Sequence, residues 1–216
     1  MSRAKYSPEK QRAIMATFIE AATEIINEKG IDSVSIRSVA SRAGYSSATM
    51  YLYFDDISQL IALASIGYLR DYTAEISSKM SDITDPKELY LYTWEAFCHH
   101  SLKRASIFMR LFFSRKKNFL DDIVKKYYSI FPHELDNISS HALSMLMAGD
   151  LYERNMNILS AYTKEVGFSD HKTEIINDMT VCYYRSYLET ACETEPDEAE
   201  IDAMTKQFLE GISYLL

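Results

Sequence analysis

The stretch that decides the fold is residues 36–54, which read IRSVASRAGYSSATMYLYF. Its first part predicts a short helix over Ile36–Arg42 with Ser35 as the N-cap, because a serine before a helix accepts a bond from a free backbone N–H. Gly44 in the turn that follows is typical of a helix end. A second helix is predicted from Ser47 to Phe54. Two short helices joined by a glycine turn form a helix-turn-helix motif, whose second helix enters the major groove of DNA.

The segments on either side of this motif are predicted to be helical as well. Ser7-Pro8 begins the first helix, which runs to Lys29 with an apolar stripe at helical spacing. A long helix is predicted from Asp55 or Asp56 to about Ile76. Many helix pairs with glycine turns bind nothing, so the spacing alone leaves DNA binding open.

The composition predicts an all-α chain of about nine helices. Six glycines and four prolines among 216 residues are too few for the turns of a β-sandwich or for glycine-rich phosphate loops. Residues 89–94 have strand propensity, but the Asp85-Pro86 opening favours a helix there. Taken segment by segment, the sequence predicts more helices than this estimate, since helices are also expected near residues 86–103, 106–114, 118–130, 133–148, 150–166, 171–193 and 196–215.

Charge is distributed unevenly along the chain. The net charge is −8, yet residues 1–54 carry seven Lys and Arg against five Asp and Glu. A polyanion is therefore expected to bind residues 1–54, the N-terminal head, and to be repelled by the acidic body formed by residues 55–216. The three cysteines form no C-x-x-C pair, and neither a signal-like apolar core nor an apolar run of about 18 residues occurs. These features predict a cytoplasmic protein without a membrane span.

Residues 30–54, which read GIDSVSIRSVASRAGYSSATMYLYF, resemble the DNA-binding signature of the tetracycline-repressor (TetR) family. The similarity covers about residues 10–64, where the glycine, the cap, the hydroxyl and the aromatic residues fall in register. It implies an all-α fold with a three-helix DNA-binding domain in residues 1–54 and a helical effector-binding and dimerisation domain in residues 55–216. The expected function is that of a ligand-responsive transcriptional regulator. We expect a homodimeric repressor that binds double-stranded operator DNA and is released by a small apolar or aromatic effector.

The predicted DNA-binding residues carry hydroxyls or a forked cation. Hydroxyls anchor a recognition helix to backbone phosphates, and the resemblance places Arg37 where family members often contact a base or a phosphate. Two alternatives stay open: Tyr51 and Tyr53 pack against the first helix, or Arg37 is a solvated charge. The predicted set is Ser35, Arg37, Tyr45, Ser46, Ser47, Thr49, Tyr51 and Tyr53.

Departures from the family pattern weaken the expected phosphate contact. Ser47 and Ile57 fall where the family often has lysine, and Asp55 and Asp56 add negative charge. Fewer cations mean fewer released counterions and a lower nonspecific affinity. The rival function is therefore a helical ligand-binding or interaction protein whose head binds DNA weakly.

The acidic body is rich in aromatic and methionine side chains. Rings and thioethers between helices form cavities that suit apolar or aromatic ligands, although core packing explains the same pattern. The predicted effector-binding residues are Trp94, Phe97, Phe108, Phe112, Met145, Tyr152 and Met156.

The last two helices are the predicted dimer surface. Apolar residues recur along them at spacings of three and four, and Gly211 would allow another helix to approach closely. Burial of these stripes within one chain is the alternative. The predicted interface consists of Met179, Tyr183, Tyr187, Met204, Phe208, Gly211 and Leu215.

Neither catalytic residues, a metal nor a cofactor is predicted. His99 and His100 are adjacent and so point to different helix faces, whereas His133 and His141 are eight apart and are the weak metal candidate. The sequence lacks H-E-x-x-H, G-x-S-x-G and Walker motifs. An enzyme that uses the aromatic cavity would lack a recognisable acid–base group.

Overall fold

The computed structural model describes residues 6–80, 82–113, 119–136 and 150–216, and these residues fold entirely into helices and connecting turns. The predicted all-α class with an N-terminal helix-turn-helix is confirmed. The α-helices are α1 (Pro8–Lys29), α2 (Ile36–Ala43), α3 (Ser47–Met50), α4 (Ile57–Ile66), α5 (Tyr68–Lys79), α6 (Pro86–Leu102), α7 (Ala105–Phe112), α8 (Phe119–Ile130), α9 (Leu151–Glu165), α10 (Asp170–Thr194) and α11 (Glu198–Ser213).

The chain forms two compact units. Of the described residues, the N-terminal unit contains 6–67 and 122–136, and the C-terminal unit contains 68–80, 82–113, 119–121 and 150–216. Most of α8 therefore packs with the N-terminal unit, although α8 is distant from it in sequence. This grouping reflects packing alone, so the functional boundary expected after residue 54 stays a prediction.

The helices α1 and α6, which have proline at their first position, begin where the sequence predicts. The Ser7 hydroxyl accepts a bond from the Lys10 N–H at 3.3 Å, and the Asp85 carboxylate accepts one from the Glu88 N–H at 2.8 Å. Each cap satisfies a backbone donor that the first turn leaves without an intrahelical partner. The last helix starts slightly later than predicted, because Asp197 rather than a residue before Pro196 is its cap.

Three predicted helices differ in the structure. The second helix of the motif ends at Met50 instead of Phe54, and residues 51–53 continue as a turn in which the Tyr53 N–H bonds to the Met50 carbonyl at 3.0 Å. The helix predicted from Asp55 to Ile76 is divided into α4 and α5 at Gly67, although Gly67 itself keeps a helical φ of −55° and ψ of −29°. The helix predicted over 133–148 begins as the 3-10 turn Pro132–Leu135, and residues 137–149 lie outside the described part of the chain.

Aromatic packing holds the N-terminal unit together. Phe18 of α1 is fully buried, with its ring 5.3 Å from that of Tyr45 and 5.9 Å from that of Phe54. Val39 of α2 and Met50 of α3 are also buried. The residues that precede and follow α3 therefore pack on α1 through their rings.

A second ring cluster forms the core of the C-terminal unit. The Trp94 ring lies 5.1 Å from those of Tyr184 and Phe208, and Phe97 packs on Phe108 at 5.8 Å. Mixed tilted and edge-to-face geometries are those that aromatic quadrupoles favour. Across the described ranges, none of the helices has the length and apolar character needed to cross a bilayer.

Candidate functional site

Local hydrogen bonds define the path from α2 into α3. The Ser35 hydroxyl accepts a bond from the Ser38 N–H at 3.1 Å, and the Ser38 hydroxyl accepts one from the Ser35 N–H at 3.0 Å. Gly44 has a left-handed φ of 72°, which side chains with a Cβ rarely adopt. This turn lets the Tyr45 N–H reach the Ala40 carbonyl at 2.9 Å. Contacts within residues 35–45 therefore fix the path of the chain from α2 into α3.

The predicted DNA-binding residues share one accessible segment. Tyr51 is 55% exposed, and the adjacent Leu52, which the sequence analysis did not include, is 69% exposed. The Thr49 hydroxyl is hydrogen-bonded to the hydroxyl of Ser46, the N-cap residue of α3, over 2.9 Å. Thr49 thus takes part in the cap of α3. Ser35, Arg37, Tyr45, Ser46, Ser47 and Tyr51 are exposed, whereas Thr49 and Tyr53 are half-buried.

Tyrosine burial bears on the alternative that these rings pack on the first helix. Tyr45 packs on the Phe18 ring yet is 38% exposed. It therefore contributes to the core and still remains accessible to a partner. Burial raises the pKa of Tyr53, and neighbouring tyrosines add to this effect. Tyr53 is therefore neutral at physiological pH and remains a hydroxyl donor. Its DNA contact stays a prediction.

Two arginines on α2 have different surroundings. The Arg42 guanidinium bonds to both carboxylate oxygens of Glu28, at 2.7 and 2.6 Å, and to Glu24 at 3.1 Å. The hydrogen bond from Arg42 lowers the pKa of Glu28, although its slight desolvation opposes this. Arg37 is exposed and forms no ion pair with the described residues. Arg42 thus ties α2 to α1, whereas Arg37 is accessible.

A lysine distant in sequence is attached to the end of the motif. Lys126 of α8 donates hydrogen bonds to the Tyr53 carbonyl at 3.1 Å and to Gln59 Oε1 at 2.9 Å. Gln59 Nε2 in turn donates to the Asp55 carboxylate at 2.7 Å. Burial lowers the pKa of Lys126, and the charge of Asp55 partly opposes this. No sequence signal indicated this network, because a lone lysine on an amphipathic helix is usually solvated.

A small cavity lies within the C-terminal unit. Its volume is about 30 Å³, and it is lined mainly by aromatic and aliphatic side chains. Such a volume holds a few atoms, well below the several hundred Å³ of a drug-sized site. The lining consists of Tyr72, Thr93, Trp94, Phe97, Phe112, Leu151, Arg154, Asn155 and Ile158.

Only some of the predicted effector residues line this cavity. Trp94, Phe97 and Phe112 do, and Phe108 lies behind them in ring contact with Phe97. Tyr152 does not, because its hydroxyl lies 3.6 Å from Cys182 Sγ. Met156 is also absent from the lining, and Met145 lies outside the described residues.

Polar side chains missed by the sequence analysis also line the cavity. The Trp94 indole N–H donates to Asn155 Oδ1 at 2.9 Å, and Asn155 Nδ2 donates to Asn177 Oδ1 of α10 at 2.9 Å. The buried Arg154 guanidinium lies 5.4 Å from the centre of the Phe112 ring. Burial raises the pKa of Tyr72 strongly, and the positive charge of Arg154 acts in the opposite direction.

Part of the predicted dimer surface belongs to the core of the chain. Phe208 has no exposed surface and contacts Trp94 and the tyrosine rings of α10, so its assignment to the dimer surface is corrected. Gly211 does allow a close approach, but by Tyr183 of the same chain: a Cβ there would lie 2.5 Å from Tyr183 Cε1. The Tyr183 and Tyr187 hydroxyls bond to each other at 2.9 Å.

Other members of that set remain accessible to a partner. Met179 is 50% exposed, and Ile175, one turn earlier on α10, is 45% exposed. Met204 and Leu215 are half-buried. Ile175 and Met179 thus form an exposed apolar face of α10, next to the buried and half-buried members of the predicted interface.

No metal centre is found in the described residues, where no three His, Cys, Asp or Glu side chains lie close enough to share an ion. His133 is exposed, and its proposed partner His141 lies outside the described ranges. His100 instead bonds to Glu75 at 2.9 Å.

Sequence comparison identifies the N-terminal segment. Residues 18–64 match the family model described as bacterial regulatory proteins, tetR family. Over 62 residues the chain is 34% identical to an uncharacterised HTH-type transcriptional regulator, YvdT, of Bacillus subtilis, a match covering 29% of this chain and 32% of that protein. The chain spans about a third of the length of the curated relatives it matches. The predicted resemblance to the TetR family is confirmed over this N-terminal domain.

Solved structures extend the fold similarity to most of the chain. Thermus thermophilus FadR, a TetR-family transcriptional repressor in complex with lauroyl-CoA, superposes with a TM-score of 0.60 at 13% identity, covering 92% of each chain. RolR in complex with the ligand resorcinol superposes with a TM-score of 0.56 at 17% identity, covering 94% of this chain and 89% of that one. At these identities the similarity establishes a common fold alone.

Proposed function

We propose that the protein is a homodimeric TetR-family transcriptional regulator that binds operator DNA through α2 and α3. The observation that carries this proposal is the ordered helix-turn-helix, which keeps Arg37, Tyr45 and Tyr51 accessible above a buried aromatic core. A forked guanidinium and several hydroxyls on one segment suit base and phosphate contacts. The exposed apolar face of α10 around Met179 supports pairing with a second copy.

The C-terminal unit is proposed to hold a small apolar or aromatic effector. Its support is the ring-lined cavity of Trp94, Phe97 and Phe112. The solved complexes of two proteins of the same fold with lauroyl-CoA and with resorcinol agree with a ligand-binding role. Release of DNA requires that the effector bind the DNA-incompetent state more tightly, because a ligand shifts an equilibrium only by its differential affinity. On this basis we propose repression relieved by the effector.

A specific observation favours the second candidate, a ligand-binding protein with weak DNA affinity. Ser47 and Ile57 replace lysines that the family often has, and Asp55 and Asp56 follow the motif directly. Against it, the positive charge of Lys126 lies close to Asp55 and offsets part of that negative charge.

The deciding experiment is an electrophoretic mobility shift assay of the full chain with DNA from upstream of its own gene. We expect a retarded dimer complex that weakens steeply between 50 and 200 mM salt, since phosphate contacts release counterions. Scrambled DNA of the same length is the control. Equal, weak binding to both DNAs would favour the second candidate.

A further inference from the structure

An aliphatic side chain is exposed near the end of the proposed recognition segment, residues 47–53. Leu52 is 69% exposed, although Met50 before it and Phe54 after it are buried. Residues two apart on a helical turn point in roughly opposite directions, so Leu52 points away from the core of the N-terminal unit. A leucine left in water forgoes the free energy that burial would contribute. Its position therefore suits a partner that covers it.

Hydrogen bonds hold the backbone around Leu52 in place. The Leu52 N–H donates to the Thr49 carbonyl at 3.1 Å. The Tyr53 carbonyl, next along the chain, accepts a bond from Lys126 at 3.1 Å. A side chain on a backbone that is already ordered loses less conformational freedom on binding. Leu52 is thus presented by a preorganised turn.

The surroundings of Leu52 contain hydroxyl groups and few other apolar side chains. Ser47 and Tyr51, about one turn apart, are exposed and carry hydroxyls, whereas Ala48 and Leu52, also about one turn apart, are exposed and aliphatic. A stable protein–protein interface needs about 20–30 residues on each side with an apolar centre. A single leucine among hydroxyls is too small a surface for a protein partner. The other exposed large apolar residues described in the N-terminal unit are Tyr6, Tyr45 and Tyr51.

The major groove of DNA offers a partner of matching size and chemistry. The groove is about 12 Å wide, and the seven residues 47–53 extend over roughly 10 Å at the rise of a helix. The whole segment therefore fits within the groove. Base edges in the groove present hydrogen-bonding groups, with one apolar exception, the C5-methyl group of thymine. Because a leucine side chain forms no hydrogen bond, this methyl group is the base-edge feature that it can recognise.

From these relationships we infer that Leu52 recognises a thymine methyl group in each half-site of the operator. Ala48 extends the same apolar face, and the hydroxyls of Ser47 and Tyr51 remain for polar contacts. The inference rests on the proposed DNA-binding function and adds a specificity-determining residue together with the base that it selects.

Uracil in place of thymine tests this contact, because uracil forms the same base pair and lacks the methyl group. Footprinting of the upstream DNA with the full chain first defines the protected sequence, and each thymine in it is then replaced in turn. We expect one replacement per half-site to weaken wild-type binding about fourfold, the factor that corresponds to burial of one such carbon group. Leu52→Ala should bind the thymine DNA more weakly than the wild type and should lose nothing further on the uracil DNA.

Further variants assign the effect to the apolar character of this side chain. Leu52→Met keeps an apolar side chain of similar volume and should retain most of the sensitivity to uracil. Leu52→Gln should lose that sensitivity, and it decides the inference if Leu52→Ala does not fold. Val166→Ala, at an exposed apolar position of the C-terminal unit, is the control and should behave like the wild type. Circular dichroism checks the fold of each variant.

The possible results separate this inference from the proposed function. Sequence-specific binding that no uracil replacement weakens would overturn the inference alone. The same holds if folded Leu52→Gln keeps the wild-type sensitivity, or if Leu52→Ala loses the same affinity for both DNAs while keeping that sensitivity. Absence of any protected sequence would contradict the proposed function, and the inference would fail with it.

Discussion

The ammonium of Lys126 donates a hydrogen bond to the backbone carbonyl oxygen of Tyr53 over 3.1 Å, although 73 positions separate the two residues. Tyr53 follows α3, so this bond attaches α8 to the end of the proposed recognition segment. A second bond from Lys126 to Gln59 reaches the start of α4 at 2.9 Å. One side chain thus restrains both ends of the short connection between α3 and α4.

Replacing this lysine should loosen the proposed DNA-binding segment. We expect Lys126→Met to lower stability by about 1–2 kcal/mol, because two partly buried hydrogen bonds from a charged donor are lost. Operator affinity should fall several-fold, since Tyr53 is no longer held. Chemical denaturation and the shift assay measure the two effects. Lys125→Met, which removes the same charge from the exposed neighbouring position, is the control, and an equal loss of affinity there would attribute the effect to net charge.

The two arginines of α2 should separate DNA binding from stability. Arg37→Ala is expected to weaken operator binding by about 1–3 kcal/mol and to relax specificity at one position per half-site, with an unchanged melting temperature. Arg42→Ala should instead lower the melting temperature, because its contacts to Glu24 and Glu28 join α2 to α1. Wild-type affinity in Arg37→Ala at equal salt would show that this residue is a solvated charge.

Gly211 and Gly67 should respond differently to alanine. At Gly211 a Cβ would lie 2.5 Å from the Tyr183 ring, and we expect Gly211→Ala to cost about 1–3 kcal/mol through overpacking. At Gly67 the Cβ would meet the Tyr127 hydroxyl at 3.6 Å, an ordinary contact, in a backbone with helical φ and ψ. Gly67→Ala should be neutral or gain up to about 1 kcal/mol. Thermal unfolding of both variants tests the assignment, and equal stability of Gly211→Ala would mean that Tyr183 has room to move.

The exposed and buried members of the predicted dimer surface should also differ. Met179→Glu is expected to give folded monomers, because the carboxylate would face an apolar partner surface on α10. Phe208→Glu should unfold the C-terminal unit, since Phe208 is enclosed by rings of its own chain. Light scattering gives the mass, and circular dichroism the fold. Val166→Glu, at an exposed apolar position after α9, is the control for added charge. A dimer that persists in Met179→Glu places the interface elsewhere.

The sequence by itself determined the features that depend on neighbouring residues. Caps at Ser7, Ser35 and Asp85 act within one turn, and the left-handed Gly44 is a property of the backbone, so all of them could be predicted. The apolar stripe of α1 indicated correctly which face is buried, because helical periodicity is a property of the helix alone.

Tertiary structure decided which surface covers each stripe. Periodicity identified Phe208 and Gly211 as packed positions but did not distinguish a second chain from the chain's own α6 and α10, since that choice depends on contacts far away in sequence. Lys126 and Arg154 illustrate the same limit. Each looks like a solvated cation on an amphipathic helix, and each acquires its surroundings only when distant helices pack around it.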